Sequence, residues 1–151
     1  NLTGMEVTLV RQLDFLPGGL KGFDIYANYT RVKSRAILPR GGFILPSQAK
    51  DMANFAVGYG LKGFSSRLSL NYQGKLPLAI GATVNDDNWL DNRLQVDFSA
   101  GQKIGKHVKV FVDLLNLANQ PYRVYLGTNQ NRPIQEERYK IWGIVGVKLN
   151  F

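Results

Sequence analysis

"KIWGIVGVKLNF", Lys140 to Phe151, is the stretch whose reading decides the fold. Counting back from Phe151, every second position is apolar, aromatic or glycine: Leu149, Val147, Val145, Gly143, Ile141 and Tyr139. The positions between them are Asn150, Lys148, Gly146, Ile144, Trp142, Lys140 and Arg138. An alternation of period two predicts a β-strand whose two faces meet different surroundings. Trp142 and Ile144 fall on the nominally polar face, so something other than water should cover them.

The same alternation recurs upstream, giving seven strand-like segments in all. They run about Met5 to Leu16, Lys21 to Ser34, Ala53 to Lys62, Ser65 to Lys75, Arg93 to Gln102 and Val108 to Leu117, then the terminal stretch. In the second, Phe23, Ile25, Ala27 and Tyr29 oppose Asp24, Tyr26, Asn28 and Thr30. In the fifth, Leu94, Val96, Phe98 and Ala100 oppose Arg93, Gln95, Asp97 and Ser99. No segment carries a 3.6-residue stripe, and sixteen glycines, seven tyrosines and eight phenylalanines favour sheet over helix. The chain is expected to be all-β.

The connections alternate as strictly as the residues. Pro17-Gly18-Gly19, Gly63-Phe64 and Gly105-Lys106-His107 read as tight turns. Between them lie long polar loops at about Pro39 to Met52, Pro77 to Asn92 and Gly127 to Gln135. In an antiparallel meander this puts every short turn at one end and every long loop at the other. A soluble β-sandwich shares the two-faced strands but turns the apolar face inward. A transmembrane barrel turns it to lipid and keeps polar residues in the lumen. Three features favour the barrel: strands of ten or more residues, one-ended loops, and aromatics near strand ends (Phe15, Phe23, Tyr72, Trp89, Tyr122, Tyr125, Tyr139, Phe151).

Composition removes other classes. The 151 residues hold no cysteine and one histidine, which excludes a disulfide framework, a thiolate metal site and a multi-histidine centre. No metal and no cofactor are expected. The chain begins at Asn1 and shows no signal peptide and no run of eighteen apolar residues, which suggests a mature chain or a fragment without a transmembrane helix. A formal charge of +8 is compatible with nucleic acid, anionic lipid or an anionic ligand. The aromatics are not interleaved with basic residues as a base-stacking platform requires, so no nucleic-acid partner is expected. Lys33, Arg35 and Arg40 fall near the outer rim, where anionic lipopolysaccharide would meet them.

Three stretches together resemble a known family. The terminal alternation ending in Phe151, with Leu149, Val147, Val145 and Tyr139 behind it, resembles the C-terminal signature of Gram-negative outer-membrane β-barrels, which the barrel-assembly machinery reads. "VFVDLLNLANQPY", Val110 to Tyr122, looks like the penultimate-strand motif of TonB-dependent receptors, with Asn116-Leu117 as its Asn-Leu pair. "GMEVTLVRQLDFLPGGLKGFDIYANYT", Gly4 to Thr30, also looks like that family. The resemblance implies an antiparallel up-and-down transmembrane β-barrel in the outer membrane, of which this chain is about seven strands of twenty-two. It implies a plug domain elsewhere in the polypeptide and a TonB-type energy-coupling partner. It also implies uptake of a scarce solute such as a ferric siderophore, cobalamin or an oligosaccharide. A small structural or adhesive outer-membrane barrel is the alternative.

Solute would be met by the outer loops and the lumen, because loops on a rigid scaffold carry function more often than walls do. The candidates are Arg40, Trp89, Asn129, Asn131 and Arg132 in loops, with Arg138 and Lys140 at the wall. Arg67, Arg93, Asp97 and Asp113 also face the lumen, as a solvated wall or as contacts to the plug. His107 reads as a solvated turn residue, and without partners no Ser/His/acid set forms, so an enzyme is not expected. Asp86 and Asp87, beside Asn85 and Asn88, have the oxygen chemistry of a Ca²⁺ loop but lack a spaced ligand series. Two Asn-x-Thr matches, at Asn1 and Asn28, are read as chance.

Overall fold

In the computed structural model, which describes residues 1–38 and 40–150, the seven long segments pair in chain order into one antiparallel sheet. Its strands are β1 (Leu2–Gln12), β2 (Phe23–Ser34), β5 (Asp51–Leu61), β6 (Phe64–Gln73), β9 (Arg93–Ile104), β10 (Val108–Leu115) and β13 (Trp142–Leu149). The long connections between them carry short strands: β3 (Ala36–Leu38), β4 (Gly41–Phe43), β7 (Leu76–Ala79), β8 (Asn88–Leu90), β11 (Tyr122–Leu126) and β12 (Pro133–Glu137). The fold is all-β and antiparallel throughout, an up-and-down meander in its main sheet.

Register sorts the side chains of the main sheet onto two faces. One carries apolar rows such as Ile25, Val57, Leu68 and Phe98, or Ala100, Val112 and Val145. The other carries polar rows such as Thr8, Asn28, Asn54, Asn71 and Gln95. A one-residue slip would exchange the faces, so both patterns hold the register. The apolar face is bare: Val145 and Val147 are 82% and 63% exposed, and Met5, Val7, Leu9, Phe55 and Leu68 are exposed too. The polar face, by contrast, is laced with hydrogen bonds. This is the reverse of a soluble sandwich, whose apolar face is covered by a second sheet.

The short turns gather at one end. Lys62 and Gly63 both have positive φ, 49° and 83°, which is the two-residue hairpin turn whose twist matches its strands. Gly105, at φ 64°, opens the turn between β9 and β10. The β1–β2 connection is longer than the tight Pro-Gly-Gly turn expected. It holds a 3-10 helix, Gly18–Gly22, lodged against β5, because a Cβ at Gly22 would sit 2.7 Å from the Gly60 carbonyl oxygen. Beside it, on the apolar face, the Phe23, Tyr59 and Phe64 rings follow one another at 4.7 and 6.1 Å.

The long connections are not irregular loops. β12, β11, β8 and β7 form a second antiparallel sheet in that order, and β3 pairs with β4 as a separate hairpin. Of the buried apolar residues, Pro77, Tyr125, Val124 and Leu76 lie in this loop-built cap, whereas the wall contributes Ala56 of β5. The terminal strand is also shorter than expected: Tyr139, Lys140 and Ile141 precede it, because Lys140 turns the chain with a φ of 59°. Pro39, where the sequence predicts the first long loop to begin, and Phe151, the terminal aromatic of the assembly signature, lie outside the described residues.

Candidate functional site

The cap is held by carboxylates that find their partners far along the chain. Asp87, almost fully buried, receives the Arg40 guanidinium and the backbone N–H of Gly81 at 2.9 Å. Arg40 also lies 4.5 Å over the Phe43 ring. Its Nε and Nη1 are buried and find no acceptor among the described residues, so the aromatic face substitutes for one. On the other side of the cap, Asp91 takes Arg123 at 3.3 Å, the Asn92 amide at 2.9 Å and Gln130 at 3.4 Å. Burial pushes the Tyr125 hydroxyl above its ordinary range, with the Asp91 charge adding to the effect against a Gln130 hydrogen bond. Asp86 turns away from Asp87 and accepts from the Thr83 hydroxyl and amide at 2.6 and 3.0 Å, which holds its carboxyl below the usual range. The neighbouring aspartates therefore serve two different locks and do not converge on a cation.

Where the cap meets the wall there is a hollow of about 550 Å³, lined by Tyr72, Lys75, Trp89, Asn92, Gln130 and Lys50. The Lys75 ammonium lies 5.8 Å from the Trp89 ring. Trp89 stands on β8, paired with Pro77 and Tyr125, so this candidate is positioned by sheet rather than by an open loop. Asn129, Asn131 and Arg132 occupy the exposed β11–β12 turn, where the Asn129 side chain accepts from the Asn131 amide at 2.9 Å. Arg40 is not with them; it sits beneath the cap in its pair with Asp87. Arg138 and Lys140, expected along the wall, lie in the segment before β13. There Arg138 pairs with Glu136, and the Tyr139 hydroxyl donates to Glu137, holding the Glu137 carboxyl below its usual range.

On the polar face, Asp24 and Arg67 meet at 3.3 Å across β2, β5 and β6. Arg93 donates to Gln95 at 3.0 Å, Gln95 to Asp97 at 2.8 Å, and Asp97 accepts the Asn116 amide at 2.9 Å. Asn116 is the member of this network that matters most for architecture. It is buried, takes a φ of 57°, and its side chain donates to the Lys140 carbonyl at 2.9 Å while accepting from the Gln120 amide at 3.2 Å. One residue thus ties the tops of β9, β10 and the approach to β13. The Asn-Leu pair marked this position in the sequence without showing what it does. Asp87 and Asp91 carried no comparable signal, since their cationic partners are 47 and 32 positions away in the chain.

No family model matches the chain, and no curated protein matches it. Among solved structures it is similar to the siderophore receptor PiuA from Acinetobacter baumannii, with a TM-score of 0.68 at 15% sequence identity. The match covers 99% of this chain but only 22% of that receptor, so the chain spans under a quarter of the length of the protein it resembles. At that identity the likeness establishes fold: these seven strands are arranged like the part of that receptor which they match.

Proposed function

We propose that this chain is the C-terminal portion of the transmembrane β-barrel of a TonB-dependent receptor in a Gram-negative outer membrane. The receptor would take up a scarce solute: a ferric siderophore, cobalamin or an oligosaccharide. The observation that carries this reading is the bare apolar face of a seven-stranded meander whose polar face is laced with hydrogen bonds. Hydrocarbon is the solvent such a face requires. Aromatics bound the face at both ends, Phe23, Tyr59 and Phe64 near the turns, Tyr29 and Tyr72 near the cap. They are six to eight residues apart along their strands, or about 20–27 Å at about 3.3–3.4 Å per residue, which at a strand tilt of about 35–45° spans about 14–22 Å of the roughly 25 Å height of a lipid-facing band.

In this reading the cap stands outside the cell, and the hollow beside Trp89 and Lys75 and the exposed Asn129–Arg132 turn meet the solute. Arg31 and Lys33 continue the apolar face beyond Tyr29 and suit the phosphates of lipopolysaccharide. β13, with Val147 and Leu149 on its apolar face, is the edge the assembly machinery would engage, and Phe151 follows it in sequence. The plug and the TonB contact lie in other parts of the polypeptide.

Three measurements on the parent protein test the proposal. Cells expressing it should accumulate one of the three labelled solutes only when TonB is energised, and its gene should encode a plug of more than about a hundred residues, the size of an ordinary domain. Uptake that ignores TonB, or a gene ending within one further strand, overturns the receptor and leaves a small structural or adhesive barrel. Solvatochromic probes at Val145 and Val147 should report hydrocarbon. A dry protein environment at both would overturn the membrane placement.

A further inference from the structure

On the apolar face, one row in register across six strands runs Phe23, Tyr59, Ser66, Ala100, Val112 and Val145. Two aromatic rings stand at one end of it and two valines at the other. The small side chains of Ser66 and Ala100 leave a dip between them, and in the next row toward the turns the exposed Phe64 ring rises beside it. Two hollows adjoin at the dip. One, of about 540 Å³, is lined by Gly19, Leu20, Phe23, Tyr59 and Ser66. The other, of about 290 Å³, has Phe64, Ala100, Val110, Val112 and Val145 in its lining. Their walls are almost entirely carbon.

The rim on the turn side of these hollows is cationic. Lys21 follows Leu20 in the 3-10 helix, and Lys62 opens the turn that leads to Phe64. The two turns are neighbours, since a Cβ at Gly19 would lie 3.8 Å from the Leu61 Cδ2. Both lysines are exposed, and neither makes an ion pair among the described residues. The three connections at this end, residues 13–22, 62–63 and 105–107, hold Lys21, Lys62 and Lys106 against Asp14 alone. At the level of Phe64, Gln102 brings a polar side chain onto the apolar face, its Nε2 donating to the Lys103 carbonyl at 2.8 Å. Hydrocarbon therefore gives way to polar surface beside the two lysines.

We propose that this place binds one phospholipid with a net-anionic headgroup, its two acyl chains in the two hollows and its phosphate on Lys21 and Lys62. Two apolar hollows that meet beneath one charged rim match a molecule with two tails and one head. A free phosphate would answer the lysines and leave the hollows bare, and a single fatty acid would fill only one of them. A zwitterionic headgroup sets its own ammonium against the lysines, so a headgroup of net negative charge is favoured, as at other lysine-bearing membrane surfaces. The proposal rests on the barrel reading, which turns this face to lipid and puts the short turns on the periplasmic side. It goes beyond that reading, because hydrocarbon accounts for a bare face but not for paired hollows under a cationic rim.

The test uses the full-length parent protein in nanodiscs of phosphatidylethanolamine containing a minor fraction of phosphatidylglycerol. Either lipid carries a photoreactive group along one acyl chain, and mass spectrometry locates the cross-links. Phosphatidylglycerol should label Leu20, Phe64, Ala100 and Val112 several-fold more than Val7 and Leu9 of β1, and more than phosphatidylethanolamine labels the same four. The double variant K21Q/K62Q, altered only at exposed turn lysines, should fold and lose that headgroup preference, by about five-fold for each lysine removed. Ser66→Leu should fill the dip and reduce labelling there by both lipids. Labelling spread evenly over the apolar face, as by an unselective lipid annulus, overturns the proposal. So does equal labelling by the two headgroups, or labelling unchanged in either variant. Even labelling together with hydrocarbon at Val145 and Val147 sinks this proposal alone, whereas no lipid labelling anywhere on the face sinks the barrel reading with it.

Discussion

Replacing Arg40 by Gln would leave the Asp87 carboxylate buried with the Gly81 amide as its remaining partner. Stranding one member of a buried pair costs about 3–5 kcal/mol, and the cost falls on the cap rather than on the wall. Hydrogen exchange should therefore speed up at Gly81 and across β7–β8 in R40Q, while the β9–β10 amides stay protected. Unchanged exchange in the cap would show that the pair contributes little. Asp86 gives a pH-dependent counterpart. Its Thr83 hydrogen bonds lower the folded-state value below the unfolded one, which is about 3.9. Stability from this group is thus fully present above about pH 4 and is lost as pH falls through the lowered folded value. In Thr83→Val the hydroxyl is gone, so the Asp86 titration should move up toward the unfolded value; a carboxyl NMR titration in detergent micelles reads this directly. Arg40 and Trp89 were recognisable in the sequence as loop residues with chemistry to offer. Their actual roles, one a buried lock and one a sheet residue beside a hollow, depend on partners dozens of residues away. Local patterning holds no record of those.

At the level of elements, the wall strands were legible because each sustains its alternation over eight to twelve residues. The cap strands were not, because β3, β4 and β8 span three residues each, too few for a period of two to stand out from chance. Strand ends slipped for a related reason: alternation persists through Tyr139 and Lys140, whereas the left-handed φ of Lys140 ends the extended chain. The two faces make separable predictions. Val112, in register with Ala100 and Val145, sits in the middle of the apolar face. Val112→Lys should cost about 2–4 kcal/mol in a bilayer and sharply reduce the heat-modifiable, folded band recovered from outer membranes. Ser69→Lys, on the polar face opposite Asp97, should assemble normally. Equal recovery of both variants would mean that the faces have been assigned the wrong way round.

For the whole molecule, the wall and the cap are built on different principles. The wall turns its apolar side chains outward, to lipid in the reading proposed above, and the cap keeps a small protein-like core around Val124, Tyr125 and Pro77. Asn116 joins the two, since it reaches Asp97 in the wall and the Lys140 carbonyl beneath the cap strands. Asn116→Ala keeps the backbone N–H that Asp97 accepts, but it loses the side-chain bonds to the Lys140 carbonyl and the Gln120 amide and puts an alanine at a φ of 57°, so it should loosen both at once: earlier thermal loss of the folded band together with faster proteolysis between residues 127 and 141. Loss of either alone would separate the two bodies. The strand order β12-β11-β8-β7 has a consequence for engineering. β7 and β8 come from one connection and β11 and β12 from another, so neither connection owns a complete sheet. Grafting one of them from a homologous barrel would bring an edge with no matching neighbour, while grafting both together would transplant a finished unit. Exchange of specificity between such proteins should then proceed by paired loops, and single-loop chimeras should be the ones that fail.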